Sequence, residues 1–113
     1  MRAVVLYEYG DVDKLQMENN QQEPSFAANE VRVRVRATSI NPVDWKIRSG
    51  DARKRMPVEF PAILGRDLAG EVADFGRDVT GFPKGMRIMA MANGTWRNSP
   101  RCAPVCWPPS PND

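Results

Sequence analysis

Glu30-Val31-Arg32-Val33-Arg34-Val35-Arg36-Ala37-Thr38-Ser39-Ile40 is the stretch on which the fold turns. Val31, Val33, Val35 and Ala37 alternate with Arg32, Arg34 and Arg36. In an extended chain every second side chain shares a face, so the valines look toward a core and the arginines toward water. β-Branched valine also suits the pleated surface of a sheet. A basic stripe is what a nucleic-acid groove presents too. The strict alternation fits a solvated strand face better, and no nucleic-acid partner is expected.

Upstream, Ala3-Val4-Val5-Leu6-Tyr7 is a short apolar, β-branched run that predicts a buried strand, ended by Gly10-Asp11. Residues 15–18 predict a second short strand, and residues 19–29, polar and interrupted by Pro24, predict a loop. Downstream, Asn41-Pro42-Val43-Asp44-Trp45-Lys46-Ile47-Arg48-Ser49-Gly50 carries the marks of a short helix. Asn41 can cap it, Pro42 suits the first helical position, and Asp44 lies where a capping box needs a carboxylate. Val43 and Ile47 then share one face, and Gly50 suits the left-handed stop. Residues 51–55 form a charged loop whose basic side chains are expected in solvent. Pro57 and Pro61 bracket an extended segment. Gly65, Gly70 and Gly76 punctuate residues 64–76, with a strand about Glu71-Val72-Ala73. Residues 78–85 read as turns, residues 87–91 as another strand, and Asn93-Gly94 as a tight turn. The expected class is mainly β with short helices, arranged as a small, partly open β-barrel.

With 113 residues the chain suffices for one domain. A net charge of +2 gives no general pull toward polyanions. No apolar run approaches the roughly 18 residues of a transmembrane helix, and the run at residues 3–7 is too short for a signal-peptide core. A cytoplasmic protein with no membrane partner is expected. The chain has no histidine, which excludes every metal site, triad or proton shuttle built on imidazole. From Arg97 onward the character changes. Five of the ten prolines and both cysteines, Cys102 and Cys106, fall in residues 97–113, so little regular structure is expected there. The boundary is drawn as an ordered domain over 1–96 and an irregular, proline-rich tail over 97–113.

Three segments taken together carry a resemblance. They are residues 41–50, Pro61-Ala62-Ile63-Leu64-Gly65-Arg66-Asp67-Leu68-Ala69-Gly70-Glu71-Val72, and Gly81-Phe82-Pro83-Lys84-Gly85-Met86-Arg87-Ile88. In this order and spacing, with Met1-Arg2-Ala3-Val4-Val5 and Tyr9-Gly10 before them, the chain resembles the N-terminal, GroES-like domain of the medium-chain dehydrogenase/reductase superfamily. Within it the chain looks like the zinc-independent quinone oxidoreductases. Zinc-dependent relatives place Cys where this chain has Asn41 and His where it has Arg66. An amide and a guanidinium cannot replace those ligands, so no catalytic zinc is expected, and two tail cysteines do not make a zinc lobe. Two departures stand out: Lys46 occupies a position often held by Tyr, and Met86 one usually held by Asp.

The resemblance implies hydride transfer from NADPH, less often NADH, to a quinone, enone or enoyl acceptor. The nicotinamide would lie in a cleft between this domain and a following Rossmann domain. Candidate catalytic residues carried over by position are Asn41, Asp44, Lys46 and Arg66, with Asn41 also the candidate cofactor contact. For Asn41 and Asp44 the competing role is the helix cap. For Arg66 it is a salt bridge with Asp67 or a neighbour. Gly65 and Gly70 read as backbone requirements.

No G-x-G-x-x-G occurs in the chain. The Rossmann cofactor domain is therefore expected to be absent, and the GroES-like domain is expected to be incomplete on its C-terminal side, without its last strands and closing helices. The isolated chain is expected to be inactive, to bind no NADP(H), and to lack the usual dimer interface of the family. Encoded as TGG CGN AAY TCN, Trp96-Arg97-Asn98-Ser99 contains GCG NAA YTC in a shifted frame, which reads Ala, then Glu, Gln or Lys, then Leu or Phe. That matches the aromatic-Ala-Glu continuation common in the family. A one-base frameshift near codon 96, or intron read-through, would produce such a tail, and genomic DNA lacking a Rossmann-like shifted frame would refute it. One other function fits the same motifs, a fragment of an enoyl reductase of the same superfamily. A non-enzymatic GroES-like oligomeric binding module shares the fold, but nothing resembles a co-chaperonin's mobile loop and the helix motif argues against it. Unpaired strand edges would also favour misfolding and aggregation.

Overall fold

The structure, a computed structural model, describes residues 1–98 and the backbone of Arg101 and Cys102. Its strands are β1 (Ala3–Leu6), β2 (Leu15–Glu18), β3 (Val31–Thr38), β4 (Asp67–Phe75), β5 (Arg87–Met91) and β6 (Arg101–Cys102). One α-helix, α1 (Pro42–Ser49), lies between β3 and β4, and a 3-10 turn, Val12–Lys14, precedes β2. β1 and β2 form an antiparallel hairpin, while the remaining strands form an antiparallel sheet in the order β5-β4-β3-β6. The described sheets do not close into a barrel, in keeping with a partial GroES-like domain.

The Val/Arg stretch does what its period demands. Val31 and Val33 are fully buried, Val35 is half-buried, and Arg34 and Arg36 are exposed. β4 presents Leu68, Gly70 and Val72 inward, and β5 presents Ile88 and Ala90. Val31, Val33, Leu68, Val72, Ile88 and Ala90 make the main core, with Val79 packed among them from the turn after β4. Each such side chain withdrawn from water contributes about 1.5–3 kcal/mol. The alternation is interrupted by irregularities between Arg32 and Val33 and between Val35 and Ala37. After the second, Ala37 is exposed rather than inward.

Residues 78–85 are turns, as expected, but they are pinned. Gly85 donates to the Val72 carbonyl and Val72 to the Met86 carbonyl. The Met86 side chain packs against the main core beside Phe82. An apolar residue at this position therefore contributes packing where a carboxylate would face a core.

A second, smaller core joins Leu6 of β1, Ile47 of α1 and Leu64, with Val43, Met56, Val58 and Trp96 around it. Val43 and Ile47, four residues apart on one helix face, hold α1 against β1. The segment after β5 ties the two sheets together. Val4 N–H donates to the Trp96 carbonyl, Asn98 N–H to the Arg2 carbonyl, and Val35 N–H to the Asn98 carbonyl. Regular pairing thus continues past residue 96: Ala3 bridges Arg97, and Arg101 and Cys102 pair with Arg32 and Val31. The expectation of little regular structure from Arg97 onward missed these contacts, because a backbone ladder needs no hydrophobic period in the strand that joins it. The expectation for residues 103–113 lies outside the described residues.

Candidate substrate-side cleft

Helix α1 begins where its sequence says it should. Asp44 Oδ2 accepts the Asn41 backbone N–H at 2.8 Å, and Asp44 N–H donates to the Asn41 carbonyl. Gly50 closes the helix at φ 89° with its N–H on the Ile47 carbonyl. Asp44 is 1% exposed. Its other oxygen, Oδ1, is buried and has no hydrogen-bond partner among the described residues.

The Asn41 side chain is held from a different direction. Its Nδ2 donates to Asp67 Oδ2 at 2.9 Å and to Ser39 Oγ at 3.1 Å, and Ser39 Oγ donates to the same Asp67 oxygen at 2.6 Å. These bonds, that from Ser39 foremost and that from Asn41 second, hold the Asp67 carboxyl below the usual carboxylate range. Both hydrogens of the Asn41 amide are thereby used inside the domain. Any contact Asn41 makes to a ligand is through its oxygen, as an acceptor.

Arg66 does not pair with Asp67. Among the described residues it forms no ion pair, and its guanidinium instead contacts Met56 Sδ at 4.0 Å. Arg66 and Asp44 line one cavity of about 450 Å3, together with Arg55, Met56, Val58, Gly65 and Asn93. Lys46 stands apart. It is exposed on the far side of α1, with its Nζ 5.8 Å from the Trp45 ring centre. The structure therefore brings Asp44 and Arg66 together, places Asn41 beside them through Asp44 and Asp67, and leaves Lys46 outside.

Gly65 fixes the cavity's back wall. Its φ is 103°, and a Cβ there would strike Thr95 Oγ1 and the Trp96 ring. Gly94 N–H and Trp96 N–H donate to the Gly65 and Leu64 carbonyls, and Trp96 Nε1 donates to the Ser39 carbonyl at 3.0 Å. A close approach of two backbones is thus built into residues 64–65 and 94–96, as the glycine suggested. At Gly70 a Cβ would overlap the Arg34 carbonyl across the sheet.

Ser39, Arg55 and Thr95 were not singled out by sequence, Asn93 was read only as a turn residue, and Asp67 only as a candidate partner of Arg66. Ser39 and Asp67 meet only through the β3–β4 register. Arg55 belongs to the loop expected to lie wholly in solvent; it is exposed, yet it forms part of the cavity rim. A larger groove, about 540 Å3, runs between β1 and β3 along Val4, Leu15, Met17, Val35, Ile40 and Trp96. It is apolar and touches none of the candidate residues. The basic strand face is partly neutralised, with Arg32 on Glu23 and Arg36 on Glu71.

Residues 27–107 match the family described as the alcohol dehydrogenase GroES-like domain. The chain belongs to this family. Its relatives and structural neighbours place it with the quinone oxidoreductase-like members of the medium-chain dehydrogenase/reductase superfamily. It is 44% identical over 68 residues to a chloroplast envelope quinone oxidoreductase homolog of Arabidopsis thaliana, which covers 60% of this chain and 21% of that protein. It is 37% identical over 98 residues to the mitochondrial NAD(P)H oxidoreductase RTN4IP1 of Drosophila melanogaster, covering 78% of this chain and 24% of that one. The Escherichia coli quinone oxidoreductase complexed with NADPH superposes with a TM-score of 0.77 at 29% identity, over 91% of this GroES-like chain and 31% of that chain. The chain spans between 20% and 27% of the length of the curated relatives compared.

Proposed function

We propose that this domain forms the substrate-side wall of a hydride-transfer cleft in an NAD(P)H-dependent reductase of quinones, enones or similar conjugated acceptors, working without zinc. The observation that carries the reading is Arg66, a half-buried guanidinium with no carboxylate partner among the described residues, facing the same cavity as buried Asp44. A fixed positive charge in a partly dry cavity stabilises negative charge as it develops on an acceptor oxygen. That is the part a zinc ion plays as a Lewis acid in zinc-dependent enzymes.

The donors do not fit zinc. The Asn41 amide nitrogen is committed to Ser39 and Asp67, and Arg66 is a cation. Among the described residues no three of His, Cys, Asp and Glu gather in one place. The reduced nicotinamide, when bound, supplies the hydride. For this chain's own residues, Arg66 orients and polarises the acceptor oxygen, Asn41 offers its amide oxygen to the nicotinamide or the acceptor, and Asp44 sets the start of α1. Met56 and Val58 exclude water from the cavity. The dinucleotide's pyrophosphate needs a glycine-rich turn that the 113 residues do not contain, so the isolated chain carries out no turnover.

The test joins residues 1–98 to the cofactor-binding part of the Escherichia coli quinone oxidoreductase. The expected chimera consumes NADPH in the presence of a quinone or an enone. Arg66→Gln lowers kcat about 100-fold while leaving NADPH binding unchanged, in the range of losing one oxyanion donor. A folded chimera that binds NADPH and reduces neither class of acceptor contradicts the proposal.

A further inference from the structure

The same cavity has a charge pattern that narrows its ligand. Two guanidinium groups line it, those of Arg55 and Arg66, and neither forms an ion pair among the described residues. Arg32 is paired with Glu23, Arg36 with Glu71, and Arg48 with the Gly10 carbonyl at 2.7 Å, whereas Arg34 and Arg87, which also form no ion pair among the described residues, stand exposed on strand faces and line no cavity with a second cation. One carboxylate lines the cavity, that of Asp44; its Oδ2 is engaged by the Asn41 N–H, while its buried Oδ1 has no partner among the described residues, so two cations face one carboxylate. Asn93 adds an uncharged amide at the wall. The remaining surface is apolar, from Ile47, Met56, Pro57, Val58 and Ile63.

From these observations we infer that the cavity is selective for an organic acid: a conjugated acceptor whose apolar body lies on the Met56 and Val58 side and whose carboxylate is taken by Arg55 and Arg66. The inference rests on the reading of this cavity as the acceptor side of the cleft. The half-buried guanidinium of Arg66 gains most from an anion, exposed Arg55 adds a second contact from the rim, and a planar carboxylate matches their fork geometry. A neutral acceptor of the same shape would leave both cations uncompensated. The volume of about 450 Å3 accommodates one ring with a short side arm.

The test uses the 113-residue chain and two unreactive probes of one shape, trans-cinnamate and its neutral amide, cinnamamide. Each is titrated against backbone and arginine side-chain resonances in solution. The expected result is saturable shifts at Gly65, Arg66, Asn93 and Arg55, with cinnamate bound roughly tenfold or more tighter than cinnamamide. Arg66→Gln and Arg55→Gln should each abolish the preference while the spectrum stays dispersed. Arg53→Gln, a neighbouring basic residue that does not line the cavity, should leave it intact. Equal affinity for the two probes, or a preference surviving Arg66→Gln, overturns the proposal. So does inorganic phosphate that shifts the same resonances at the same concentration as cinnamate, because the site would then be a general anion site. The readout is binding, so it is separable from hydride transfer. A chimera without turnover would remove the catalytic reading and leave a demonstrated acid site standing.

Discussion

Asp67 and Gly65 carry the most informative single-residue predictions. Asp67 accepts from Ser39 and Asn41, which hold its folded pKa below the ordinary 3.8. A depressed carboxyl contributes stability that is fully present above its unfolded value and is lost as the pH falls through the lower folded value. Denaturant unfolding of the native chain and of Asp67→Asn should therefore differ by a constant amount from pH 7 down to about 4. Below that the difference should shrink, and a difference independent of pH would contradict the network. At Gly65, alanine meets a positive φ together with the Thr95 hydroxyl, the Trp96 ring and the Trp96 backbone nitrogen. Gly65→Ala should cost on the order of 2–4 kcal/mol, read as a lower denaturation midpoint. The cap role of Asn41 and Asp44 was legible because capping chemistry is local in sequence. The partners of Asn41 were not, because Ser39 and Asp67 meet across a sheet whose register carries two irregularities. Arg66 was legible as an anomaly of residue type, while its freedom from Asp67 depended on which hydrogen bonds Asp67 prefers.

The strands answer to their periods, and β3 is the best place to measure this. Val33→Ala removes a fully buried side chain from the main core and should destabilise the domain by about 2–4 kcal/mol. Arg34→Ala, one residue away on the exposed face, should stay within about 0.5 kcal/mol, and the contrast is readable by chemical denaturation of the two variants. β1, β2, β3, β5 and α1 were legible because apolar alternation, turn glycines and cap residues mark their bounds. The full length of β4 was less so, since Gly70, Ala69 and Ala73 dilute its pattern with small residues. Residues 96–98 and the backbone at 101–102 carry no hydrophobic period. They join the sheets chiefly through main-chain bonds, which side-chain patterns do not encode, with Trp96 adding its ring to the smaller core.

At the scale of the molecule, two sheets meet along residues 96–98, and the cavity opens where α1, residues 55–58, the segment before β4 and the Asn93-Gly94 turn come together. The composition change that marks residue 97 in the sequence is therefore also a place where the sheets are bonded to one another. Calorimetry of the isolated 113-residue chain with NADPH should give no binding heat, whereas micromolar binding would show a nucleotide site within the domain itself. The central claim concerns what this face of the cleft does to an acceptor. The most direct measurement follows the hydride. The chimera described above is supplied with NADPH deuterated on the transferred position of the nicotinamide, together with an enone. Deuterium bound to the carbon β to the carbonyl of the product, with incorporation strongly reduced by Arg66→Gln, is the predicted result. NADPH oxidation without deuterium in the product, or transfer indifferent to Arg66, would contradict it.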